Sequence, residues 1–126
     1  IEEMRYFMYF KLNGMEDILE SFDYYIDKEI KPGFNAMDAR MRTSFTNFEV
    51  ANSKKETDID ALIKIIRLVA NLFTLDEIGV DFITKNIKRY KVILAKLNDL
   101  ISKKDAKNHS ELIQCTLSCS SNMLYF

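Results

Sequence analysis

The sequence contains few of the residues that break helices or cross-link chains: its 126 residues include three glycines, one proline, two cysteines and no tryptophan. Three glycines are too few for the glycine-rich loop that cradles phosphate groups in nucleotide-binding proteins. One histidine cannot supply the two Glu-x-x-His pairs of a di-metal site in a helical bundle. No apolar run approaches the roughly 20 residues needed to span a bilayer. We therefore expect no cofactor, no metal and no integral membrane segment.

The charge of the chain is nearly balanced, with 18 basic and 19 acidic residues and a net charge of -1. A protein that follows a phosphate backbone needs a clear basic excess, so the sequence argues against a nucleic-acid partner. Hydrophobic residues make up 48% and charged residues 29%, which excludes disordered and low-complexity classes. The length suits one domain covering residues 1–126.

Apolar residues recur at three- and four-residue steps along most of the chain, and strict alternation over the length of a strand is hard to find. This pattern predicts an all-α, single-domain helical bundle of four to six helices with short loops. The segments 2–12 and 15–31, separated by Asn13-Gly14, form either two helices or one kinked helix. The other predicted helices cover residues 34–52, 58–73 and 74–102 and a short segment from residue 110.

The helix boundaries rest on local signals. Lys31-Pro32-Gly33 is the clearest stop, because proline removes a backbone donor and disfavours helical geometry in the residue before it. Residues 52–56 are predicted to be a polar linker before Thr57, which caps the next helix. Thr74 with Glu77 forms a capping box for the long helix, and Ser110 caps the last one. The serines that follow Thr116 lower helix propensity and favour unwinding of the tail.

Cys115 and Cys119 are the first candidates for chemistry. On one helix their geometry would strain a disulfide, whereas an irregular tail would permit a small-loop bridge or a bridge between two copies. Free thiols are the other alternative, and a C-x3-C spacing without a second pair is a weak zinc signal. Asn108-His109-Ser110 is an N-x-[ST] sequon, so Asn108 would carry a glycan if the protein is secreted in a eukaryote.

Charged residues are divided between the two halves of the chain. The first half carries carboxylates opposite the apolar stripe of the second helix, which we interpret as a solvated face: Glu16, Asp17, Glu20, Asp23 and Asp27. The long helix and the loop after it are basic, which indicates either an ordinary solvent face or a surface for an acidic partner. The residues predicted to contact a protein partner are Lys88, Arg89 and Lys103.

Two segments are unusually apolar. Tyr6-Phe7-Met8-Tyr9-Phe10 is apolar on every side of a helix, so it must be buried all round, cover a partner or line a cavity. The predicted helix 34–52 is rich in Met and Phe, which usually form plain core but also adapt to irregular partners. If the protein encloses an apolar ligand, the predicted lining residues are Tyr6, Phe10, Phe34, Met37, Met41 and Phe45.

The sequence contains no recognisable set of nucleophile, base or metal ligands, which argues against an enzyme. It favours a non-enzymatic interaction module, such as a secreted or host-directed effector or inhibitor, that binds a protein partner not identified by the sequence. A homodimer joined through the cysteines is compatible with this function. The alternative is a carrier of a lipid or another small apolar molecule. The compartment is left open, with a secreted protein favoured over a cytoplasmic one.

Overall fold

The structure is a computed structural model that describes residues 2–30, 48–105 and 107–126, and of residues 48–57 it describes the backbone. In these ranges all regular structure is helical, which confirms the predicted all-α class. The described helices are α1 Glu2–Tyr6, the π-helix Phe7–Lys11, α2 Gly14–Ile30, α3 Phe48–Leu72, α4 Asp76–Lys85, α5 Ile87–Lys103 and α6 Ser110–Leu124. We call α1 and the π-helix that continues it the N-terminal arm, residues 2–11.

The four long helices form a closed ring in which α3 packs on α2 and α6, and α5 packs on the same two helices. The core lies inside this ring, and each helix contributes a side chain that is fully buried: Phe22, Ile66, Leu97 and Met123. The predicted apolar stripes of α2 and α3 are confirmed, because their members are buried or half-buried. Burial of these stripes is the main stabilising contribution to a helical bundle.

Helix α3 begins earlier than the sequence predicts. It runs without interruption through Phe48–Leu72, so the predicted linker at residues 52–56 and the cap at Thr57 are wrong. The polar stretch contains no glycine or proline, and its lysines and glutamate are good helix formers, so polarity alone does not end the helix. The predicted stop at residues 31–33 and most of the predicted helix 34–52 lie outside the described residues.

The predicted long helix 74–102 is two helices, α4 and α5. Asn86 lies between them with φ −136° and ψ 48°, outside helical geometry. Because this break changes the phase of the helix, Ile87 is exposed although the uninterrupted pattern predicts it in the core. The capping box is also wrong: α4 begins at Asp76, and the Thr74 hydroxyl donates to the Asn71 carbonyl at 2.6 Å.

Helix α6 continues to Leu124, so the expected unwinding of the serine-rich tail is wrong. Cys115, Cys119 and Met123 are buried at four-residue steps and hold this helix on the core, while most of the serines point outward. Ser110 is the first helical residue and not the cap, a position that His109 takes without a side-chain hydrogen bond. Tertiary burial here outweighs the low helix propensity of serine.

Ion pairs connect the acidic side of α2 with the basic side of α5. Asp23 accepts from Arg89 and, at 2.9 Å, from Lys96, which also reaches Asp27 at 3.1 Å. Directly after α5, Lys104 Nζ lies 3.0 Å from Oε2 of Glu29, which is in the last turn of α2. The interpretation of the whole acidic side as a solvated face is therefore wrong for the two aspartates, because an oppositely charged helix packs beside them.

Gly79 marks a close approach between α4 and the end of the chain. A Cβ added at Gly79 would overlap the ring of Phe126, which packs beside the buried Phe73. We expect Gly79→Ala to lower the free energy of unfolding by about 2 kcal/mol, because the terminal ring must move. In a Phe126→Ala background the same change should raise it by about 0.5 to 1 kcal/mol, because alanine is the better helix former.

Urea unfolding of the wild type, the two single variants and the double variant completes this test. The same effect of Gly79→Ala in both backgrounds would show that the terminal ring does not oppose a side chain at this position.

Candidate interaction surface

The N-terminal arm is half packed and half exposed. Its inner side contacts the core through Tyr6, Met8 and Tyr9, which are half-buried. On its outer side 73% of Met4 and 56% of Phe7 are exposed. An apolar helix that leaves side chains of this size in water presents a surface to a partner or a ligand.

In the described part of the chain, side-chain hydrogen bonds from Arg5 and Tyr9 fix the arm to the end of α3, to the turn after it and to α4. Arg5 Nη1 donates to the Asn71 carbonyl at 3.0 Å and to Thr74 Oγ1 at 2.7 Å. The Tyr9 hydroxyl donates to Asp81 Oδ2 at 2.7 Å. Burial is the main cause that raises the pKa of Tyr9, and the hydrogen bond to Asp81 raises it further. The phenol therefore remains a donor at neutral pH.

A tight turn brings the arm back onto the start of α2. Asn13 has a positive φ of 52°, a left-handed conformation that asparagine tolerates better than most residues. At the next residue, Gly14, an added Cβ would lie 2.7 Å from Met8 Cγ. The glycine therefore permits the close contact between the arm and α2.

The apolar outer side of the arm forms one wall of a groove, and α3 forms the other. We call it the arm groove, and its volume is about 830 Å³. Most of its lining is methionine, phenylalanine and leucine side chain, including Leu12, which is 62% exposed. Its lining residues are Glu3, Met4, Arg5, Phe7, Met8, Leu12, Leu68 and Asn71.

A second, smaller depression lies between the arm and α4. We call it the acidic cleft; it has a volume of about 550 Å³, and the described residues that line it include three carboxylates and no basic residue. Phe10 and Val80 form its apolar part and are about half exposed, at 46% and 55%. Its lining residues are Phe10, Asp76, Glu77, Val80, Asp81 and Thr84.

A third depression, of about 750 Å³, lies among the arm, α2, α4 and α5 and has a mixed lining. Several of its charges are satisfied within the protein. Lys85 pairs with Asp81 at 2.8 Å, and Arg89 pairs with Asp23. The hydrogen bonds from Lys85 and Tyr9 hold the pKa of Asp81 below its ordinary value. The first pair lies within α4 and the second joins α5 to α2, so both are accounted for by the fold without a ligand.

The three residues predicted to contact a partner have different environments. Lys88 is exposed. Arg89 is half-buried, and besides its ion pair it donates to the Leu19 carbonyl at 3.3 Å. Lys103 donates to the Ile30 carbonyl at the end of α2. The structure therefore places Arg89 and Lys103 in contacts that join α5 to α2, and it does not bring the three residues together as one free patch.

Both cysteines are free and buried. The Cys115 thiol donates to the Leu112 carbonyl at 3.2 Å, and Cys119 lies 4.0 Å from the Met123 sulfur. Burial raises the pKa of Cys115 and raises that of Cys119 to about 12, with Cys115 adding to the effect at Cys119. In this fold neither thiol reaches a second copy, so a disulfide-linked dimer would require α6 to open.

Asn108 lies exposed in the loop between α5 and α6. Its Nδ2 donates to Asp105 Oδ2 at 3.1 Å, and the same carboxylate accepts from the Lys107 amide at 2.9 Å. The side-chain nitrogen that would carry a glycan is thus accessible but engaged in the turn. Glycosylation at Asn108 remains a prediction.

The predicted ligand cavity is only partly described. Tyr6 and Phe10 stack on the arm with ring centroids 6.3 Å apart, at its surface and not around an enclosed space. The other predicted lining residues, Phe34, Met37, Met41 and Phe45, lie outside the described residues.

The sequence singled out the segment that contains Phe7 and Met8, but it did not identify Met4, Leu12 and Leu68 as residues of the arm groove. Part of the signal was present, because the segment 6–10 is apolar on every side and must be buried all round, cover a partner or line a cavity. Which side is outward depends on the π-helix, whose wider turn changes the phase of the side chains after Tyr6.

Within the described part of the chain, no three His, Cys, Asp or Glu side chains lie together in a way that could hold a metal ion. In the same residues no helix combines the length and the apolar character needed to cross a membrane. Comparisons with known protein families, with curated proteins and with solved structures found no match. The arm groove and the acidic cleft are therefore interpreted from their own chemistry.

Proposed function

We propose that this protein is a non-enzymatic interaction module that binds an apolar segment of a partner protein in the arm groove. The observation that carries the proposal is the exposure of Met4, Phe7 and Leu12 along one groove. Side chains of this kind, anchored on a fixed helix, are typical of grooves that accept the apolar face of a partner helix. Methionine adds the ability to adjust to the shape of that face.

The rigidity of the arm supports the same proposal. Its bonds from Arg5 and Tyr9 hold the groove wall in place before a partner binds. A preformed groove loses less conformational entropy on binding than one that must order itself. A secreted or host-directed effector or inhibitor would act through such a surface, and this setting is part of the proposal.

A carrier of an apolar small molecule is the second candidate. The observation in its favour is the volume of the arm groove, about 830 Å³. Pockets for small ligands range from about 300 to 1,000 Å³. Under this alternative, the groove would hold an acyl chain or a similar molecule instead of a protein segment.

The test compares the wild type with a Met4→Ser/Phe7→Ser variant and a Val92→Ser control, in which an exposed apolar residue of α5 is replaced. Each is immobilised and exposed to extract from the natural source, and retained proteins are quantified. We expect a partner that the control retains and the double variant retains at least about tenfold less, as loss of two central contacts implies.

Equal retention by all three proteins would contradict binding through the arm groove. Native mass spectrometry of the purified proteins separates the two candidates. A small-molecule mass that remains on the wild type and the control but is lost from the double variant would establish the carrier alternative in place of the protein partner.

A further inference from the structure

The second depression beside the arm adds information about the chemistry of the partner. The acidic cleft combines exposed carboxylates with the half-exposed apolar side chains of Phe10 and Val80. Of its carboxylates, Asp81 is already paired with Lys85. Asp76 and Glu77 are exposed and have no ion pair with any residue of the described ranges.

The acidic cleft and the start of the arm share one negative field. The exposed Glu2 and Glu3 lie in the first turn of α1, next to the groove residue Met4. Tyr6 links the two places, because its ring stacks on that of the cleft residue Phe10 with centroids 6.3 Å apart. Partial burial raises the pKa of Tyr6, and the charges of Glu77, Glu2 and Asp76 raise it further. Among the described residues, the guanidinium of Arg5 lies close to them, and it donates to uncharged oxygens.

Part of the basic charge in the described helices is engaged elsewhere in the fold. Arg89 and Lys96 of α5, and Lys104 directly after it, are engaged by the carboxylates of α2. The exposed carboxylates of Glu2, Glu3, Asp76 and Glu77 place negative charge beside the exposed apolar side of the arm. A segment that covers both depressions must bring apolar side chains and positive charge together.

We infer that the partner segment is a cationic amphipathic helix, with its apolar face in the arm groove and its Lys or Arg side chains over the acidic cleft. This inference rests on the proposed function and adds the charge of the partner to it. The aliphatic stems of Lys and Arg would cover Phe10 and Val80 while their charged ends meet Asp76 and Glu77. An acidic segment would be repelled at the same place.

The probes for the test are two fluorescein-labelled peptides of about 18 residues, long enough to form a helix of about 27 Å. One has leucine at helical spacing with lysine elsewhere, and the other replaces every lysine by glutamate. Fluorescence anisotropy at low ionic strength measures their dissociation constants. We expect the lysine peptide to bind the wild type at least about tenfold more tightly than the glutamate peptide.

The matched variants are Asp76→Asn/Glu77→Gln and Glu16→Gln/Asp17→Asn. Both remove two exposed carboxylates from the first turn of a helix, α4 in one case and α2 in the other, so their effects on the helix dipole and the net charge are the same. We expect the α4 variant to bind the lysine peptide about fivefold more weakly and the α2 variant to bind it as the wild type does. Circular dichroism checks that both remain helical.

Each contrary result has a definite meaning. Equal weakening in both variants would show attraction by net charge alone and overturn the inference. Equal binding of the two peptides would also overturn it, but if Met4→Ser/Phe7→Ser weakened both, the proposed function would stand. Binding of neither peptide would overturn the inference, and a wild-type dimer that the α4 variant loses would assign the cleft to a second copy of the chain.

Discussion

Replacing Phe73 by alanine should lower the free energy of unfolding by about 4 kcal/mol, among the largest effects expected from a single substitution in this chain. Phe73 is 1% exposed and follows the last residue of α3, and its ring meets that of Phe82 edge to face with centroids 5.6 Å apart. The cavity left by the ring would be surrounded by helices that cannot all move inward.

Phe7→Ala is the matched control, because the same atoms are removed from a side chain that is 56% exposed. We expect its free energy of unfolding to stay within about 0.5 kcal/mol of the wild type. Urea unfolding followed by circular dichroism measures both variants. A large loss in Phe7→Ala would show that this ring supports the fold, and it would count against the arm groove as a free surface.

Asp23→Asn should lower the free energy of unfolding by about 2 kcal/mol at neutral pH, because it leaves Arg89 and Lys96 without their shared carboxylate. These side chains are only 33% and 17% exposed, so water replaces the lost bonds incompletely. Asp17→Asn is the control, since Asp17 lies exposed on the same helix. It should change the stability by less than about 0.5 kcal/mol.

The effect of Asp23 should also depend on pH. Burial opposes its ionisation, but the hydrogen bonds from Arg89 and Lys96 outweigh burial and lower its pKa below the ordinary 3.8. The stabilisation is therefore complete above the pKa of the unfolded chain and is lost as the pH falls through the lower pKa of the folded protein. We expect the gap between wild type and Asp23→Asn to be constant from about pH 6 to 8 and to narrow below about pH 4.

Urea unfolding at a series of pH values follows this gap. A gap that does not change down to the lowest pH would show that the carboxylate charge of Asp23 does not stabilise the fold.

The sequence predicted the faces of α2 and α3 well, because their apolar residues recur at helical spacing over several turns. It did not predict the break at Asn86, since the apolar pattern continues across that residue. Nor did it predict the pairing of Arg89 with Asp23, because that contact depends on how two distant helices pack. Two residues of the predicted basic surface, Arg89 and Lys103, therefore contact α2 within the fold.

For the interaction surface, the sequence identified the segment but not its exposed side. A helix that is apolar all round has no polar face to mark the solvent side. Of the two arm residues predicted to line a cavity, Tyr6 faces inward in part and Phe10 borders the acidic cleft. The residues most exposed, Met4 and Phe7, could be found only after the arm was placed against α3 and α4.

The bonds that hold the arm join residues far apart in the chain: Arg5 reaches a threonine 69 positions later, and Tyr9 an aspartate 72 positions later. During synthesis, the ribosome must therefore add more than half of the chain before the arm can dock. Until then its aromatic and methionine side chains are exposed to other nascent chains and to chaperones. The surface proposed for recognition is thus also open to aggregation before folding is complete.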